Sequence, residues 1–178
     1  MKKKFDMDLS QISTIFFDVD GVFTDGSFYI SDNKITLTKF NVHDGMGCIL
    51  LKEAGLELLI LTARHSDAVI QRFKGLGINK IFTKVLNKHN FIREYSRDNN
   101  LTKNEIAMMG DDLQDLLAID EVGLFFTTPN AVNDVKNSAD YITKRFGGDG
   151  AVREICDLII SSKGSTPSLQ FQNFIKQR

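Results

Sequence analysis

The sequence has almost no net charge. Its 22 lysine and arginine residues nearly balance 23 aspartate and glutamate residues, which leaves a formal charge of -1 over 178 residues. The chain therefore lacks the broad basic field that attracts nucleic acid or an anionic membrane surface, and we expect neither as a partner.

Cysteine is equally scarce. Cys48 and Cys156 are the two cysteines of the chain, and each lies in an apolar stretch with helix-like periodicity. Two cysteines in a chain of this length do not make a disulfide framework, so we predict reduced thiols in the core.

A long uninterrupted hydrophobic run is also missing. The most apolar segment, GCILLKEAGLELLILTAR at residues 47–64, contains Lys52, Glu53 and Glu57, so it does not predict a membrane span. The first ten residues carry the lysines of a signal peptide, but Asp6 and Asp8 interrupt any apolar region there. A cytoplasmic protein is the default expectation.

What the sequence does contain is an alternation of short apolar runs with amphipathic segments, over a length typical of one domain at residues 1–178. Strands are predicted at Thr14–Asp18, Leu56–Thr62, Lys80–Thr83, Ile106–Met109, Val122–Phe126 and Asp140–Thr143. Helices are predicted at Gly45–Ala54, Ser66–Leu76, Lys88–Asn99, Asp112–Ile119, Ala131–Asn137 and Gly150–Ser161. This order predicts an α/β fold, a doubly wound and mostly parallel sheet that binds ligands beyond the carboxyl ends of its strands.

One segment breaks this alternation, and a tail follows the last predicted helix. At about residues 22–40, the extended runs Val22–Ile30 and Lys34–Phe40 flank the turn-forming sequence Ser-Asp-Asn, which predicts a β-hairpin inserted after the first strand. The tail at about residues 163–178 overlaps the linker-like stretch SSKGSTPS, and its last ten residues either dock as an amphipathic piece or stay mobile.

Two carboxylates end the first predicted strand. Asp18 and Asp20 follow a buried apolar run, and we expect Gly21 to turn the chain directly after them. Acids so close together repel each other, and desolvation adds to the cost, so a divalent cation or a shared proton would resolve the arrangement. The alternative is a polar strand end with two solvated aspartates.

A second group of acids follows the strand Ile106–Met109. Gly110 permits a tight turn, and Asp111, Asp112 and Asp115 come next. These acids could simply complement a helix macrodipole and cap free N–H groups. Two acid-tipped strands at one sheet edge would instead form a cluster suited to a hard cation, and Mg²⁺ fits best.

Two further residues at strand ends could hold a phosphate. Thr62 precedes a helix start, where N–H groups favour anions, although an ordinary β-branched strand residue explains it equally well. Lys88 opens a helix, where its charge opposes the macrodipole. Phosphate binding or compensation of the acids would explain this position, and an ordinary surface lysine is the alternative.

Taken in order, these motifs resemble those of the haloacid dehalogenase superfamily of phosphohydrolases, from about Ile12 to Ser162. The matching motifs are Phe17-Asp18-Val19-Asp20-Gly21-Val22, Thr62, Lys88 and Gly110-Asp111-Asp112-Leu113-Gln114-Asp115. The resemblance implies that Asp18 attacks phosphorus to form an aspartyl-phosphate and that Asp20 is the general acid and then the base. Thr62 and Lys88 would bind phosphoryl oxygens.

The same resemblance implies a Mg²⁺ site. The ion would be held by a carboxylate oxygen of Asp18, the backbone carbonyl of Asp20 and the carboxylate of Asp111. Asp112 and Asp115 would support these ligands.

The chain between Asp20 and Thr62 is too short for a large cap domain. It resembles the capless branch, in particular the 3-deoxy-D-manno-octulosonate 8-phosphate (KDO 8-phosphate) phosphatase family of lipopolysaccharide precursor synthesis. The matching segments are Asp25-Gly26, FNVHDGMG at 40–47, Thr62-Ala63-Arg64 and GGDGAVRE at 147–154. The resemblance implies a homotetramer, built by the hairpins, in which a neighbouring subunit helps to cover each active site.

The resemblance also implies a set of substrate contacts. The residues implied are Asp20, Asn41, His43, Asp44, Gly45, Arg64, Arg72 and Lys88. Arg64 and Arg72 lie two turns apart in one predicted helix region, so both could reach the carboxylate or phosphate of a small dianionic substrate. The alternative for Arg72 is a solvated helix charge.

The sequence departs from the family pattern at four positions. His43 and Ile49 stand where arginine is usual, Ala63 replaces a glycine, and Asp149 replaces a common arginine. These departures keep a second substrate open, a nine-carbon sialic-acid-type 9-phosphate, although Arg64 favours the eight-carbon sugar. A phospho-receiver domain and a non-catalytic relative are the rival classes. The receiver is disfavoured because receivers carry the phospho-accepting aspartate after their third strand, whereas Asp18 and Asp20 follow the first. The non-catalytic relative is disfavoured because every catalytic position is occupied.

Overall fold

Six parallel strands form the central sheet of the protein. The structure, a computed structural model, describes residues 8–33 and 36–177. Its strands are β1 Thr14–Phe17, β2 Tyr29–Ile30, β3 Thr36–Leu37, β4 Glu57–Leu61, β5 Ile81–Phe82, β6 Ile106–Met109, β7 Leu124–Thr127 and β8 Tyr141–Ile142. The main sheet has the order β5-β4-β1-β6-β7-β8 with every pair parallel, so the predicted doubly wound α/β fold is confirmed.

Helices follow the strands at positions close to those predicted. They are α1 Val42–Glu53, α2 Asp67–Gly75, α3 Lys88–Asp98, α4 Leu113–Leu116, α5 Asn133–Ser138, α6 Ala151–Ser162 and α7 Pro167–Lys176. Side-chain oxygens of Asn41, Ser66 and Asn87 accept backbone N–H bonds at the starts of α1, α2 and α3, which explains why these helices begin there.

Side chains of β1 show why the sheet is covered on both faces. Ile15 and Phe17 pack into one apolar core with residues of α1, α2 and α6, whereas Phe16 packs into a second core that includes Ile92 of α3 and Val135 of α5. A strand buried on both faces needs an uninterrupted apolar run, and TIFF provides it. Within the described ranges, no helix is long and apolar enough to cross a membrane.

The inserted hairpin is much shorter than predicted. Among the described residues of this segment, only Tyr29–Ile30 and Thr36–Leu37 pair, and they do so antiparallel. The prediction of a strand from Val22 was wrong because the N–H groups of Val22, Phe23 and Thr24 all donate to the carbonyl of Val19, which closes a tight buried turn. Lys34 and Ile35 of the predicted second strand lie outside the described residues, as do residues 1–7 and 178.

The other departures concern α4 and the tail. The prediction of one helix over Asp112–Ile119 was wrong: α4 ends at Leu116 and a separate 3-10 turn covers Ile119–Glu121. In the tail, α7 packs on α1 and α6, with Thr166 capping its first turn, so the docked alternative holds for the described part of the tail.

Candidate active site

The predicted motif residues converge at the carboxyl edge of the sheet. Phe17 pairs with Ile60 of β4 and with Met109 of β6, so the residues that follow these three strands emerge side by side. The N–H of Asp18 continues this pairing by donating to the carbonyl of Met109 at 2.9 Å. The residues at these strand ends surround a cleft of about 390 Å³. It is lined by Asp18, Asp20, Gly26, Phe28, Thr62, Ala63, Arg64, Lys88, Asp111, Asp112, Gln114 and Asp115.

Lys88 lies at the base of this cleft and is only 2% exposed. Its ammonium donates to Oδ1 of Asp18 at 2.6 Å and to Oδ1 of Asp115 at 2.5 Å. Burial alone would lower the pKa of Lys88, but the two carboxylates outweigh it and raise that pKa. The predicted compensation of the acids by Lys88 is therefore observed, and the surface-lysine alternative is wrong.

Asp115 organises the loop after β6. Its Oδ2 accepts the N–H groups of Asp111 at 2.9 Å and Asp112 at 3.2 Å, while its Oδ1 faces Lys88. Gly110 has no side chain because a Cβ there would lie 2.4 Å from the Cβ of Asp115. Asp115 thus fixes the loop that presents Asp111, and Asp112 caps α4 from the exposed side.

Gly21 makes room for the Asp111 carboxylate. It has a φ of +78°, and an added Cβ would lie 1.8 Å from Oδ2 of Asp111. Its carbonyl accepts hydrogen bonds from Thr128 at 3.3 Å and from Asn130 at 3.0 Å, which fixes the turn between β1 and the hairpin.

Three carboxylates crowd around this position. One oxygen from each of Asp18, Asp111 and Asp115 lies within 4.8 Å of the others. Burial and the neighbouring Asp115 raise the pKa of Asp18 to about 7, against the effect of Lys88. Burial and the carboxylates of Asp18, Asp115 and Asp112 raise the pKa of Asp111 to about 8. One ammonium compensates only one of these charges, so the donor set fits a hard divalent cation.

Asp20 is held by Arg64. The guanidinium donates from Nε to Oδ2 at 3.2 Å and from Nη2 to Oδ1 at 3.0 Å, a bidentate pair. Arg64 lies in the loop before α2, with Ser66 capping the helix behind it. In the same loop, Thr62 is buried and its Oγ1 accepts the N–H of Arg64 at 3.3 Å.

Five residues predicted to contact the substrate do not line this cleft. Within the part of the chain that the structure describes, the cleft lining does not include Asn41, His43, Asp44, Gly45 or Arg72. Arg72 approaches the carbonyl of Asn41 at 3.5 Å and packs over Gly45, where a Cβ would meet its Nη2 at 2.4 Å. Arg64 therefore lines the cleft whereas Arg72 does not, so the two do not face one ligand there. Arg64 also lies before the start of α2 and not on the helix.

Asp44 has a structural partner. Its side chain is fully buried and accepts the N–H groups of Arg153 at 2.8 Å and Gly150 at 3.3 Å. These are groups at the start of α6, so a residue of α1 caps a different helix. Burial raises the pKa of Asp44, although these two hydrogen bonds oppose the rise.

Sequence reasoning missed some residues at the cleft. Gln114 lines it from α4, and its place inside the GDDLQD motif was an available signal. Phe28 also lines the cleft, although it was assigned only to the hairpin. Asn130 holds Gly21 from the loop after β7, and only turn-forming neighbours, Pro129 among them, mark that loop in the sequence.

A parallel sheet with carboxylates, a lysine and a threonine at its carboxyl edge defines the class of haloacid dehalogenase-like hydrolases. The family model of that description matches residues 77–155. The chain belongs more narrowly to the 3-deoxy-D-manno-octulosonate 8-phosphate phosphatase family, which confirms the predicted resemblance. It is 32% identical to that phosphatase from Haemophilus influenzae over 169 residues, which is 94% of each chain.

Solved structures agree with this assignment. The phosphatase of this name from Moraxella catarrhalis, described in complex with magnesium, phosphate and KDO, is 34% identical with a TM-score of 0.86. The match covers 96% of this chain and 95% of that one. The cobalt-bound enzyme from Haemophilus influenzae is 33% identical with a TM-score of 0.83, over 88% and 92% of the two chains.

Proposed function

We propose that the protein is a Mg²⁺-dependent phosphatase that hydrolyses KDO 8-phosphate to KDO and inorganic phosphate. The observation that carries this proposal is the buried contact of Lys88 with Asp18 and Asp115 beside Asp111, in a chain of this family. The magnesium, phosphate and KDO described for the Moraxella catarrhalis relative support the same substrate and ion.

The reaction begins with Asp18. One carboxylate oxygen attacks phosphorus, the bond from phosphorus to the sugar oxygen breaks, and an aspartyl-phosphate forms. Asp20 gives its proton to the departing sugar oxygen. Lys88 and Thr62 bind phosphoryl oxygens and offset the charge that develops there. The neighbouring positions of these side chains at the cleft support this division of roles.

Water completes the cycle. Asp20, now ionised, takes a proton from the water that attacks the aspartyl-phosphate, and phosphate leaves with Asp18 restored. Mg²⁺, when bound, would polarise the phosphoryl group and neutralise its charge. Asp18, Asp111 and the carbonyl of Asp20 would hold the ion. Asp115 fits a supporting role because both of its oxygens already accept hydrogen bonds.

Assembly and location belong to the same proposal. The hairpin exposes Tyr29, Ile30 and Leu37 at 58%, 74% and 63%, which supports its use in a homotetramer. Light scattering that finds a monomer at working concentration contradicts this assembly.

The two cysteines bear on location. Cys48 and Cys156 are buried and form no disulfide, which fits the reducing cytoplasm, and cell fractionation tests that location.

A substrate panel tests the function. Purified enzyme with Mg²⁺ is assayed for phosphate release from KDO 8-phosphate, a nine-carbon keto-sugar 9-phosphate and a generic aryl phosphate. We expect the highest kcat/KM for KDO 8-phosphate and no turnover by Asp18→Asn with its fold intact. Better turnover of another metabolite refutes KDO 8-phosphate as the substrate. Phosphorylation of the protein once by a small phosphodonor, without repeated turnover, indicates a receiver.

A further inference from the structure

The ring of Phe28 lies against the guanidinium of Arg64. The Cζ atom of Arg64 is 3.9 Å from the ring centroid, well inside the distance at which a cation and an aromatic face attract each other. Phe28 is nevertheless 43% exposed, so burial in the core does not explain its position. Both residues line the cleft.

Two contacts together fix the guanidinium. The ring of Phe28 covers the guanidinium, and the bidentate bonds to Asp20 fix the direction of its Nε–Nη2 edge. A guanidinium has five N–H donors, of which Asp20 takes two, so donors on Nη1 remain for an acceptor in the cleft. A planar fork held in this way suits a carboxylate.

Two local hydrogen bonds fix the chain that leads to Phe28. The N–H of Gly26 donates to Oγ1 of Thr24 at 3.2 Å, and the N–H of Ser27 donates to Oδ1 of Asp25 at 2.9 Å. Asp25-Gly26 therefore forms a turn that carries the chain from the buried segment out to the hairpin. Phe28 is delivered to the cleft by this turn and not by pairing within the hairpin, which begins at Tyr29.

We propose that Phe28 is a positioning residue that acts through Arg64 to select an acidic sugar phosphate. The inference rests on the proposed function, because it assigns the free donors of Arg64 to the carboxylate of that substrate. Without the ring, the long side chain of Arg64 samples more rotamers and holds this acceptor less well. The phosphate end of the substrate, bound around Asp18 and Lys88, is affected less.

The test compares substrates with and without a carboxylate. The kcat/KM of wild type, Phe28→Ala, Phe28→Leu and Phe28→Tyr is measured on KDO 8-phosphate and on acetyl phosphate, which has neither a carboxylate nor a ring. In Phe28→Ala we expect the ratio of kcat/KM for KDO 8-phosphate to kcat/KM for acetyl phosphate to fall by about 3- to 10-fold. The fall should come mainly from a higher KM for the sugar phosphate. Phe28→Tyr restores the ratio, and Phe28→Leu, which fills space without an aromatic face, does not.

Two controls separate this role from general effects. Ile142→Ala removes an apolar side chain of similar exposure, 39%, from β8 at the edge of the sheet, and it leaves the ratio at the wild-type value. In an Arg64→Ala background, Phe28→Ala lowers the ratio no further, because its partner is already gone. An equal loss in Ile142→Ala, additive losses in the double variant, or an unchanged ratio in Phe28→Ala each refute the positioning role.

The outcome for wild type keeps the two proposals apart. A wild-type enzyme that does not prefer KDO 8-phosphate refutes the proposed function and, with it, the ligand assigned here. A wild-type enzyme that does prefer it, together with a Phe28→Ala variant of equal preference, refutes the role of Phe28 alone.

Discussion

The Nζ atom of Lys88 donates a 2.6 Å hydrogen bond to Oδ1 of Asp18, a residue 70 positions away in the chain. The contact joins the first residue of α3 to the tip of β1. Both side chains are almost completely buried, and Asp115 shares the same ammonium. Such a group is costly to break, since removal of the cation leaves two buried carboxylates unpaired.

Lys88→Met tests this contact with a side chain of similar length. We expect an unfolding free energy lower by about 3 kcal/mol, because a buried ion pair loses one partner. We also expect kcat to fall by at least about 100-fold, because charge at the phosphoryl group is no longer offset. Denaturant unfolding and phosphate release measure the two effects.

Lys80→Met is the matched control for that variant. Lys80 pairs with Glu57 at the opposite edge of the sheet, and its side chain is 43% exposed. We expect a stability loss of about 1 kcal/mol or less, as for other exposed pairs, with kcat unchanged. Equal losses in the two variants contradict the special status of Lys88.

The metal-free enzyme should lose stability as pH rises. The pKa values of Asp18 and Asp111 are raised from 3.8 to about 7 and about 8, so the native state keeps protons that the unfolded chain releases. Their contribution to stability is full below the unfolded value and is lost as pH rises through the folded values. In EDTA, thermal unfolding should therefore show a falling Tm from about pH 5 to pH 8.

Mg²⁺ and Asp111→Asn should each weaken this trend, but for different reasons. Mg²⁺ binds the ionised carboxylates, so its stabilising effect should grow with pH. Asp111→Asn removes one repelling charge, so the metal-free variant should gain about 2–4 °C in Tm at pH 8 and should lose most of the response to Mg²⁺. A variant with the wild-type pH slope and Mg²⁺ response shows that Asp111 is not part of the cation site.

Gly21→Ala should damage the cation site through one misplaced methyl group. The new Cβ would lie 1.8 Å from Oδ2 of Asp111, and the φ of +78° is already unfavourable for alanine. We expect a stability loss of at least about 2 kcal/mol and much weaker Mg²⁺ binding, measured by unfolding and calorimetry.

Gly55→Ala isolates the backbone contribution. Gly55 has a φ of +87° but nothing within 4 Å of an added Cβ, and it lies between α1 and β4. It should lose about 1 kcal/mol from strain alone and bind Mg²⁺ as wild type does. If Gly21→Ala keeps normal Mg²⁺ affinity, the close approach to Asp111 has no functional importance.

The convergence of Asp18, Thr62 and Asp111 could be predicted because parallel strands deliver their carboxyl ends to one edge. The order of apolar runs in the sequence contains that information. The partner of Arg64 could not be predicted, since Asp20 is 44 residues away and the pair depends on how two loops fold over the sheet. The same holds for the turn at Val22–Thr24, where one carbonyl gathers three N–H groups and overrides a strand-like pattern.

Asp44 gives the sharpest contrast between a motif-based role and an observed contact. The family resemblance predicts that it binds substrate, whereas its carboxylate caps α6 through Arg153 and Gly150, more than 100 positions away. Asp44→Ala should lower the unfolding free energy by about 2 kcal/mol, because two buried N–H groups lose their acceptor. Thr166→Ala, which removes an exposed local cap of α7, should cost less.

Kinetics on the same Asp44 variants decide between the two roles. If Asp44 acts as a cap, Asp44→Ala has a lower Tm, while the KM of the folded enzyme at a temperature well below that Tm equals the wild-type value. Asp44→Asn keeps one acceptor oxygen, so its stability should lie between that of the wild type and that of Asp44→Ala. A raised KM at unchanged Tm would instead place Asp44 in contact with the substrate, and the cap would then be dispensable.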